Sequence, residues 1–225
     1  MVRSARSARD DASATLTDRA YTELEELIVT LQLPPGSAVS EGMLSKRLRI
    51  GRTPIREALQ RLARERLVII LPRRGIVVSE INLKSHLRLL ETRREVERLV
   101  TRLAARRATE EERAQFRDLA ERFVRCAERT DETGFMRADR AFNELILVAS
   151  KNEFAAGSMR LMQSLSRRFW FHHYKEAADM PETAKLHADQ ARAIAAADEA
   201  GAAKATDRLI ALNEAFARAT VSSDL

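Results

Sequence analysis

The sequence contains few of the residues that cross-link small secreted domains or interrupt helices. Its 225 positions include one cysteine, seven glycines, five prolines and only 5% aromatic residues. The single cysteine, Cys126, excludes an internal disulfide framework and a four-cysteine zinc site, and it is compatible with a reducing compartment. Because glycine and proline are scarce while Ala, Leu, Arg and Glu are abundant, the composition favours long helices over a strand-rich sandwich or barrel.

The chain also lacks a long apolar segment. No run approaches the roughly 20 apolar residues that cross a bilayer, and the N-terminus has no apolar core of a secretory signal. We therefore expect no membrane association and a cytoplasmic location. Residues 1–15 are rich in Arg, Ser and Ala, but Asp10 and Asp11 argue against an organelle transit peptide. This segment is predicted to be a disordered arm.

Length and charge indicate two domains, of which the first is basic. A chain of 225 residues is long enough for two modest hydrophobic cores. The formal net charge is +6, and residues 1–78 contain 14 Lys and Arg against 9 Asp and Glu. Residues 41–75 alone contain ten basic side chains against three acidic ones. Such a surplus suits a polyanion such as DNA, although an ordinary solvated basic face would have the same composition.

Three short helices are predicted in the N-terminal third. Apolar residues recur at helical spacing over about 18–31, and the Pro- and Gly-containing stretch 33–36 must end that helix. Ser40 is placed to cap a second helix. The third helix is predicted to begin with Thr53 as its N-cap and Pro54 at the first helical position, where the missing N–H is harmless.

The third helix has one apolar face and one polar face. Its apolar positions share one side of a helical wheel, namely Ile55, Ala58, Leu59 and Leu62. Two β-rich runs, 68–71 and 76–78, then flank a turn that carries Arg73 and Arg74 and read as a basic hairpin. Three helices followed by such a wing predict a winged helix-turn-helix domain over residues 16–79.

The polar face of the third helix has the chemistry for reading DNA. The planar donor fork of arginine suits the N7 and O6 acceptors of guanine in the major groove, and Arg52 and Arg56 lie four residues apart at the helix start. Thr53 and the nearby helix amides are placed to approach phosphate. The other basic side chains are better placed for phosphates, and they are Lys46, Arg47, Arg73 and Arg74.

These motifs resemble the DNA-binding domain of GntR-family regulators over roughly residues 16–80. The resemblance rests on the stretches 33–36, 40–41, 44–45 and 51–59 and on the Arg74-Gly75 wing. It implies that Arg52 and Arg56 contact operator bases and that the wing, at Gly75 and its neighbours, enters the minor groove. The chain departs from the family at two positions. Gly51 replaces the usual Ser or Thr before the first arginine, and Gly42 stands where some members have a DNA-contacting arginine.

The remainder of the chain is predicted to be an all-α bundle over residues 84–222. Its helical stretches are expected over about 84–107, 110–129, 132–150, 153–175, 181–199 and 202–221. The run 93–97, Asp139 with Phe142, and His187 resemble the C-terminal ligand-binding domain of the FadR-type subfamily. That resemblance implies a polar cavity for a small effector, usually an organic acid, and a homodimer. The fold class is therefore mostly α, with a winged helix-turn-helix domain followed by a helical bundle.

The resemblance also implies which side chains bind the effector. Arg93 is expected to hold its carboxylate, because the guanidinium fork binds both oxygens. Arg93 is equally well spaced for an intrahelical pair with Glu97, and the sequence leaves the two alternatives open. The other side chains expected at the effector site are Asp139, Asn143, His187 and Tyr174. Without the family pattern, His187 would be interpreted as an ordinary polar residue near a helix start.

A metal site is only partly present. Many domains of this type bind a divalent metal with one aspartate and three histidines, and Asp139 and His187 match two of those ligands. Asn143 replaces a histidine, and Leu209 stands where the last one is expected. Because an amide is a poorer transition-metal ligand than imidazole, we expect no bound metal and keep a divalent ion on Asp139 and His187 as the alternative. One histidine of the pair 172–173 is the remaining candidate for the cavity.

These patterns predict a repressor whose binding to a palindromic double-stranded operator is controlled by a small carboxylate effector. A second hypothesis is an enzyme whose catalytic set is His172, His173, His187, Asp139 and nearby carboxylates. The chain has no His-Glu-x-x-His motif, no phosphate-binding Gly-rich loop and no nucleophile elbow, so we expect no enzymatic activity. A nonspecific DNA-binding protein is a third hypothesis, and it predicts no discrete operator and no response to a ligand.

Overall fold

A computed structural model describes residues 15–73, 75–177 and 179–222, without the side chains of 175–177 and 221–222. The elements are α1 (Leu16–Val29), β1 (Ala38–Val39), α2 (Glu41–Leu48), α3 (Arg52–Arg64), β2 (Val68–Leu71), β3 (Gly75–Val78), α4 (Leu83–Arg107), α5 (Glu110–Arg129), α6 (Glu132–Ala149), α7 (Glu153–Ala177), α8 (Met180–Ala195) and α9 (Glu199–Ser222). They form two compact units, whose described parts are residues 15–73, 75–81 and 164–172, and residues 82–163, 173–177 and 179–222. The predicted fold class is confirmed, while the predicted arm at residues 1–15 lies, apart from Thr15, outside the described residues.

The first two helices of the first unit have well-defined starts. Thr15 and Asp18 form a capping box at the start of α1, so this helix begins two residues before the predicted position. Ser40 caps α2 as predicted, because its Oγ accepts the Met43 amide N–H at 3.2 Å. Arg49 ends α2 in the left-handed conformation, with φ 55°.

The predicted start of α3 is wrong by two residues. The N-cap is Gly51, which has no side chain to accept a hydrogen bond, and Thr53 lies inside the first turn. Pro54 is the third helical residue, where its missing N–H costs nothing because first-turn amides have no intrahelical acceptor. The predicted apolar face is confirmed, since its four members are at most 1% exposed and are Ile55, Ala58, Leu59 and Leu62.

The wing is an antiparallel hairpin within a three-stranded sheet of order β1-β3-β2. Val68 pairs with Val78 and Leu71 with Gly75, so the hairpin forms between the predicted strands, and β3 begins one residue early. The turn needs residues with positive φ, and Arg73 (63°) and Gly75 (101°) supply them. Arg74 lies outside the described residues. The two-residue strand β1, which the sequence did not predict, pairs with β3.

Part of α7 belongs to the first unit. Ser164 Oγ and Arg167 Nη1 both donate to Glu25 Oε1, at 2.8 and 3.0 Å. Arg168 Nη1 donates to the backbone oxygen of Ser79 at 3.0 Å. Glu25 is only 6% exposed, so its charge is buried and relies on these donors.

The six helices predicted for the bundle are all formed, and the second unit contains them except for residues 164–172 of α7. The predicted break between the last two is misplaced, because α8 ends at Ala195 and α9 begins at Glu199. Ala197 has φ 59°, and the Asp198 carboxylate caps α9 by accepting the Gly201 amide N–H at 2.8 Å. Gly201 therefore lies in the first turn of α9 and does not break it. Within the described part of the chain, no helix is long and apolar enough to span a membrane.

Candidate DNA interface and effector site

The exposed face of α3 presents the predicted base-reading residues. Arg52, Thr53 and Arg56 are exposed, whereas the opposite side of the helix packs into the core of the first unit. Because Gly51 has no capping side chain, the amides of Arg52 and Thr53 have no side-chain acceptor at the helix start. Such amides are well suited to bind phosphate.

The two arginines have different surroundings. Arg52 makes no hydrogen bond or ion pair with any described residue. Arg56 is held by Glu41, whose two carboxylate oxygens accept from Nε and Nη2, each at 2.8 Å. The hydrogen bonds from Arg56 hold the pKa of Glu41 below its usual range, and the nearby charge of Arg52 acts in the same direction. The sequence analysis placed Glu41 within the family motif but assigned it no role.

Three of the cations predicted to bind phosphates are also exposed, namely Lys46, Arg47 and Arg73. Lys46 and Arg47 lie in the last turn of α2, and Arg47 Nη2 donates to Gln32 Oε1 at 3.3 Å. Arg73 and Gly75 lie in the wing turn, where both are exposed. The first unit thus presents positive charge on α2, on α3 and on the wing.

A buried histidine lies at the centre of the second unit. His187 is 5% exposed, and its ring stacks on Phe123 with 5.0 Å between centroids. Its Nε2 lies 3.5 Å from Asp139 Oδ1, whereas its buried Nδ1 has no partner among the described residues. Burial lowers the pKa of His187, although the Asp139 carboxylate acts in the opposite direction. The ring is therefore neutral at pH 7.

Asp139 and Asn143 extend this polar cluster toward α7. Asn143 Nδ2 donates to Asp139 Oδ1 at 3.0 Å, and Gln163 Nε2 donates to Asn143 Oδ1 at 3.3 Å. The amide of Asn143 thus links the carboxylate to the middle of α7. Gln163 directly precedes Ser164, the residue of α7 that donates to Glu25.

Arg93 and Glu97 form a buried ion pair in the same cluster. Arg93 Nε donates to Glu97 Oε2 at 2.6 Å, and the two residues are 7% and 4% exposed. The intrahelical pair that the sequence left open is therefore formed, and no described residue accepts from either Nη atom of Arg93. Both charges influence the pKa of His187, so the pair lies near that ring. Gln190, which the sequence analysis missed, donates to Thr206 Oγ1 at 2.8 Å, and its buried Oε1 has no partner among the described residues.

Tyr174 lies beside Glu132, and His86 lies near Arg93 and His173. Burial and a hydrogen bond with Glu132 raise the pKa of Tyr174. Glu132 lies two turns before Asp139, about 10 Å along the axis of α6. His86 is 8% exposed, and burial, with the charges of Arg93 and His173, lowers its pKa to about 3. The sequence analysis did not identify His86, which no spacing pattern marks.

The side chains around His187 do not fit a metal site with one aspartate and three histidines. Asp139 Oδ1 already accepts from Asn143, whose amide replaces an imidazole, and Leu209 is an apolar residue with 0% exposure. Within residues 15–73, 75–177 and 179–222, no three metal-ligating side chains of the required kinds cluster. We therefore assign no metal chemistry to this cluster.

A winged helix-turn-helix with an exposed arginine face, followed by a helical bundle, defines a DNA-binding transcriptional regulator. Residues 16–78 match the bacterial regulatory proteins of the gntR family, and residues 88–212 match the FCD domain. The chain belongs to the GntR family and to its FadR-type subfamily, as the sequence predicted. GntR regulators bind DNA, and FCD domains bind small-molecule effectors.

Individual relatives agree with this assignment. The chain is 32% identical over 142 residues to an uncharacterised HTH-type transcriptional regulator of Agrobacterium vitis, covering 62% of this chain and 83% of the relative. It is 31% identical to the HTH-type transcriptional repressor RspR of Escherichia coli, over 56% of this chain and 55% of that protein. The structure of Escherichia coli McbR/YncC has the same fold, with a TM-score of 0.76, 21% identity and coverage of 92% and 99% of the two chains.

Proposed function

We propose that this regulator is a cytoplasmic homodimeric repressor that binds a palindromic double-stranded operator and responds to a small carboxylate effector. Residues 16–79 would form the DNA-binding domain, and residues 84–222 the effector-binding and dimerisation domain. A two-fold symmetric dimer presents two equal reading heads, which accounts for a palindromic operator. The observation that carries the proposal is the exposed face of α3, where Arg52 and Arg56 have no role in the core.

In this proposal the basic side chains of the first unit divide into two groups. Arg52 and Arg56 contact base edges in the major groove, while Thr53 and the first amides of α3 bind phosphate. Gly75 lets the wing backbone approach the minor groove. The remaining cations bind phosphates without sequence preference, and they are Lys46, Arg47, Arg73 and Arg74.

The effector would bind at the buried polar cluster of the second unit. Arg93 uses only Nε for Glu97, so its two Nη atoms can donate to an effector carboxylate. Since Nε2 of neutral His187 faces the Asp139 carboxylate, that nitrogen carries the proton and the orphaned Nδ1 is an acceptor. The orphaned Gln190 Oε1 is a second acceptor, three residues further along α8. Two acceptors beside a carboxylate-binding arginine favour an acid that also carries a hydroxyl group. Tyr174 would line the outer part of this site.

Control of DNA binding would pass through α7, which contributes to both units. Its Gln163 bonds Asn143 of the effector cluster, and its Ser164 and Arg167 bond Glu25 of the first unit. An effector that changes the Asn143–Gln163 bond would bias the position of α7. It can regulate only if it prefers one arrangement of the protein over another.

We propose no catalytic role. The relatives are transcriptional regulators, and the proposed effector site gives the buried polar side chains a role that needs no catalysis. A footprint distinguishes an operator-specific regulator from a nonspecific DNA-binding protein, because the nonspecific protein would protect no discrete site.

The test is a selection of binding sites from random duplexes, followed by DNase protection and affinity measurements. We expect a palindromic consensus and a discrete footprint. Arg52→Ala should weaken binding to the consensus roughly tenfold or more while changing nonspecific binding little, since a bidentate base contact contributes about 1–3 kcal/mol. Arg73→Ala, the matched control at a phosphate-binding position, should weaken both kinds of binding similarly. Equal losses from both variants on both DNAs would contradict the division of roles, and the absence of a consensus would contradict the proposed function.

A further inference from the structure

We propose that Glu41 is a specificity-determining positioning residue, which holds the Arg56 guanidinium by one edge so that its other edge faces a single guanine. This inference rests on the proposed function, because it concerns how α3 reads an operator. It assigns a role in DNA recognition to an acidic side chain in a strongly basic region.

The geometry of the pair leaves the base-reading edge of Arg56 free. A guanidinium has two edges that can each make paired hydrogen bonds, one formed by Nε and Nη2 and the other by Nη1 and Nη2. Glu41 occupies the first edge with two bonds of 2.8 Å. Nη1 and the second hydrogen of Nη2 remain, and this end-on edge matches the O6 and N7 acceptors of guanine. Glu41 therefore selects an edge of Arg56 without blocking the base contact.

The backbone of Glu41 is well anchored, and its side chain is less exposed than that of Arg56. Glu41 is the first residue of α2, directly after the Ser40 N-cap, and Leu44 fixes this turn in the core with 0% exposure. The Glu41 side chain is 28% exposed, compared with 58% for Arg56. An exposed arginine that is unpaired would sample many rotamers and would lose that freedom on binding DNA. Pairing with a fixed carboxylate removes part of that cost before DNA arrives.

The carboxylate also has an electrostatic consequence. The hydrogen bonds from Arg56 lower the pKa of Glu41, so it is ionised at neutral pH. A negative charge near the DNA backbone weakens nonspecific attraction. The pair therefore lowers the affinity for nonspecific DNA while increasing discrimination between bases. Arg52 has no such partner among the described residues. Recognition at the base read by Arg56 should therefore depend on Glu41, and recognition at the base read by Arg52 should not.

The experiment compares Glu41→Gln with wild type on every base-pair substitution of the selected consensus, at two salt concentrations. The single amide oxygen of Gln can replace one carboxylate oxygen, but Gln has no second acceptor atom for the other Arg56 donor. Glu57→Gln is the matched control, because Glu57 is an exposed acid on α3 that accepts from Thr17 and not from either arginine. Circular dichroism melts establish that each variant is folded.

We expect Glu41→Gln to reduce discrimination roughly tenfold at one base pair of each half-site and to leave the other positions unchanged. Its nonspecific affinity should equal or exceed that of wild type, as for Glu57→Gln. Combining Glu41→Gln with Arg56→Ala should cost no more discrimination than Arg56→Ala alone, since both act on the same contact. Unchanged discrimination at every position, with a wild-type consensus in hand, would overturn this inference alone. If wild type selects no consensus, the proposed function fails and this inference fails with it.

Discussion

Burial of His86 should make the second unit sensitive to mild acid. The side chain is 8% exposed, and burial, with the charges of Arg93 and His173, lowers its pKa to about 3. An unperturbed histidine has a pKa near 6.5. Between these two values the unfolded chain carries a proton on His86 that the folded chain does not. The contribution of neutral His86 to the free energy of unfolding is therefore complete above pH 6.5 and decreases as the pH falls.

The size of the effect follows from the difference between the two pKa values. Each pH unit below about 6.5 costs about 1.4 kcal/mol of unfolding free energy for one such group. A change from pH 7 to pH 5 should therefore remove about 2 kcal/mol through His86 alone. Burial also lowers the pKa of His187, which acts in the same direction.

Urea unfolding followed by circular dichroism measures this contribution directly. Wild type and His86→Asn are compared at pH 7 and pH 5, so that groups titrating equally in both proteins cancel. The stability lost between the two pH values should be about 2 kcal/mol smaller in the variant. His187→Asn provides a second comparison with the same expected sign. Identical pH dependence in wild type and His86→Asn would refute the reasoning from burial.

Two further predictions concern the buried polar cluster. Arg93→Leu should destabilise the protein by about 3–5 kcal/mol, because it leaves the Glu97 carboxylate buried without its cation and with only a 3.5 Å hydrogen bond from Gln190. Arg93→Leu with Glu97→Leu should recover most of the loss in urea unfolding. Additive losses from the two single variants would contradict a direct pair. In thermal-shift measurements, lactate should stabilise the protein more than propionate, which lacks the hydroxyl group, and His187→Leu should reduce the difference. Equal shifts with both acids in wild type would contradict recognition of a hydroxyl group.

Local patterns predicted most of the elements but not how residues far apart in sequence meet. The apolar face of α3 was predictable because a helical period fixes which residues share a side. The start of that helix was not, since Thr53 before Pro54 has the composition of a cap, whereas the backbone at Gly51 takes that position. The two-residue strand β1 exists through pairing with β3, and no run of its own residues marks it.

At the candidate site, too, residues within a sequence pattern were predicted, and residues whose role depends on packing were missed. Asp139 and His187 were found because a family pattern connects residues 48 positions apart, and the structure brings them within 3.5 Å. Gln190 was missed because its role depends on packing against Thr206 of another helix. Glu41 was missed for a similar reason, since the pair with Arg56 joins two helices and has no fixed spacing.

The two glycines that depart from the family pattern, Gly42 and Gly51, affect the surroundings of the first turn of α3. A Ser or Thr at position 51 would offer a hydroxyl to the first amides of α3, whereas Gly51 leaves those amides without a side-chain acceptor and open to phosphate. At position 42, a Cβ would lie 3.8 Å from Arg52 Nη2, so a longer side chain would meet the guanidinium. An arginine there would also repel it. Gly42 thus leaves the guanidinium of Arg52 unobstructed, whereas Glu41 holds that of Arg56, so the two arginines of one helix face differ in their freedom to move.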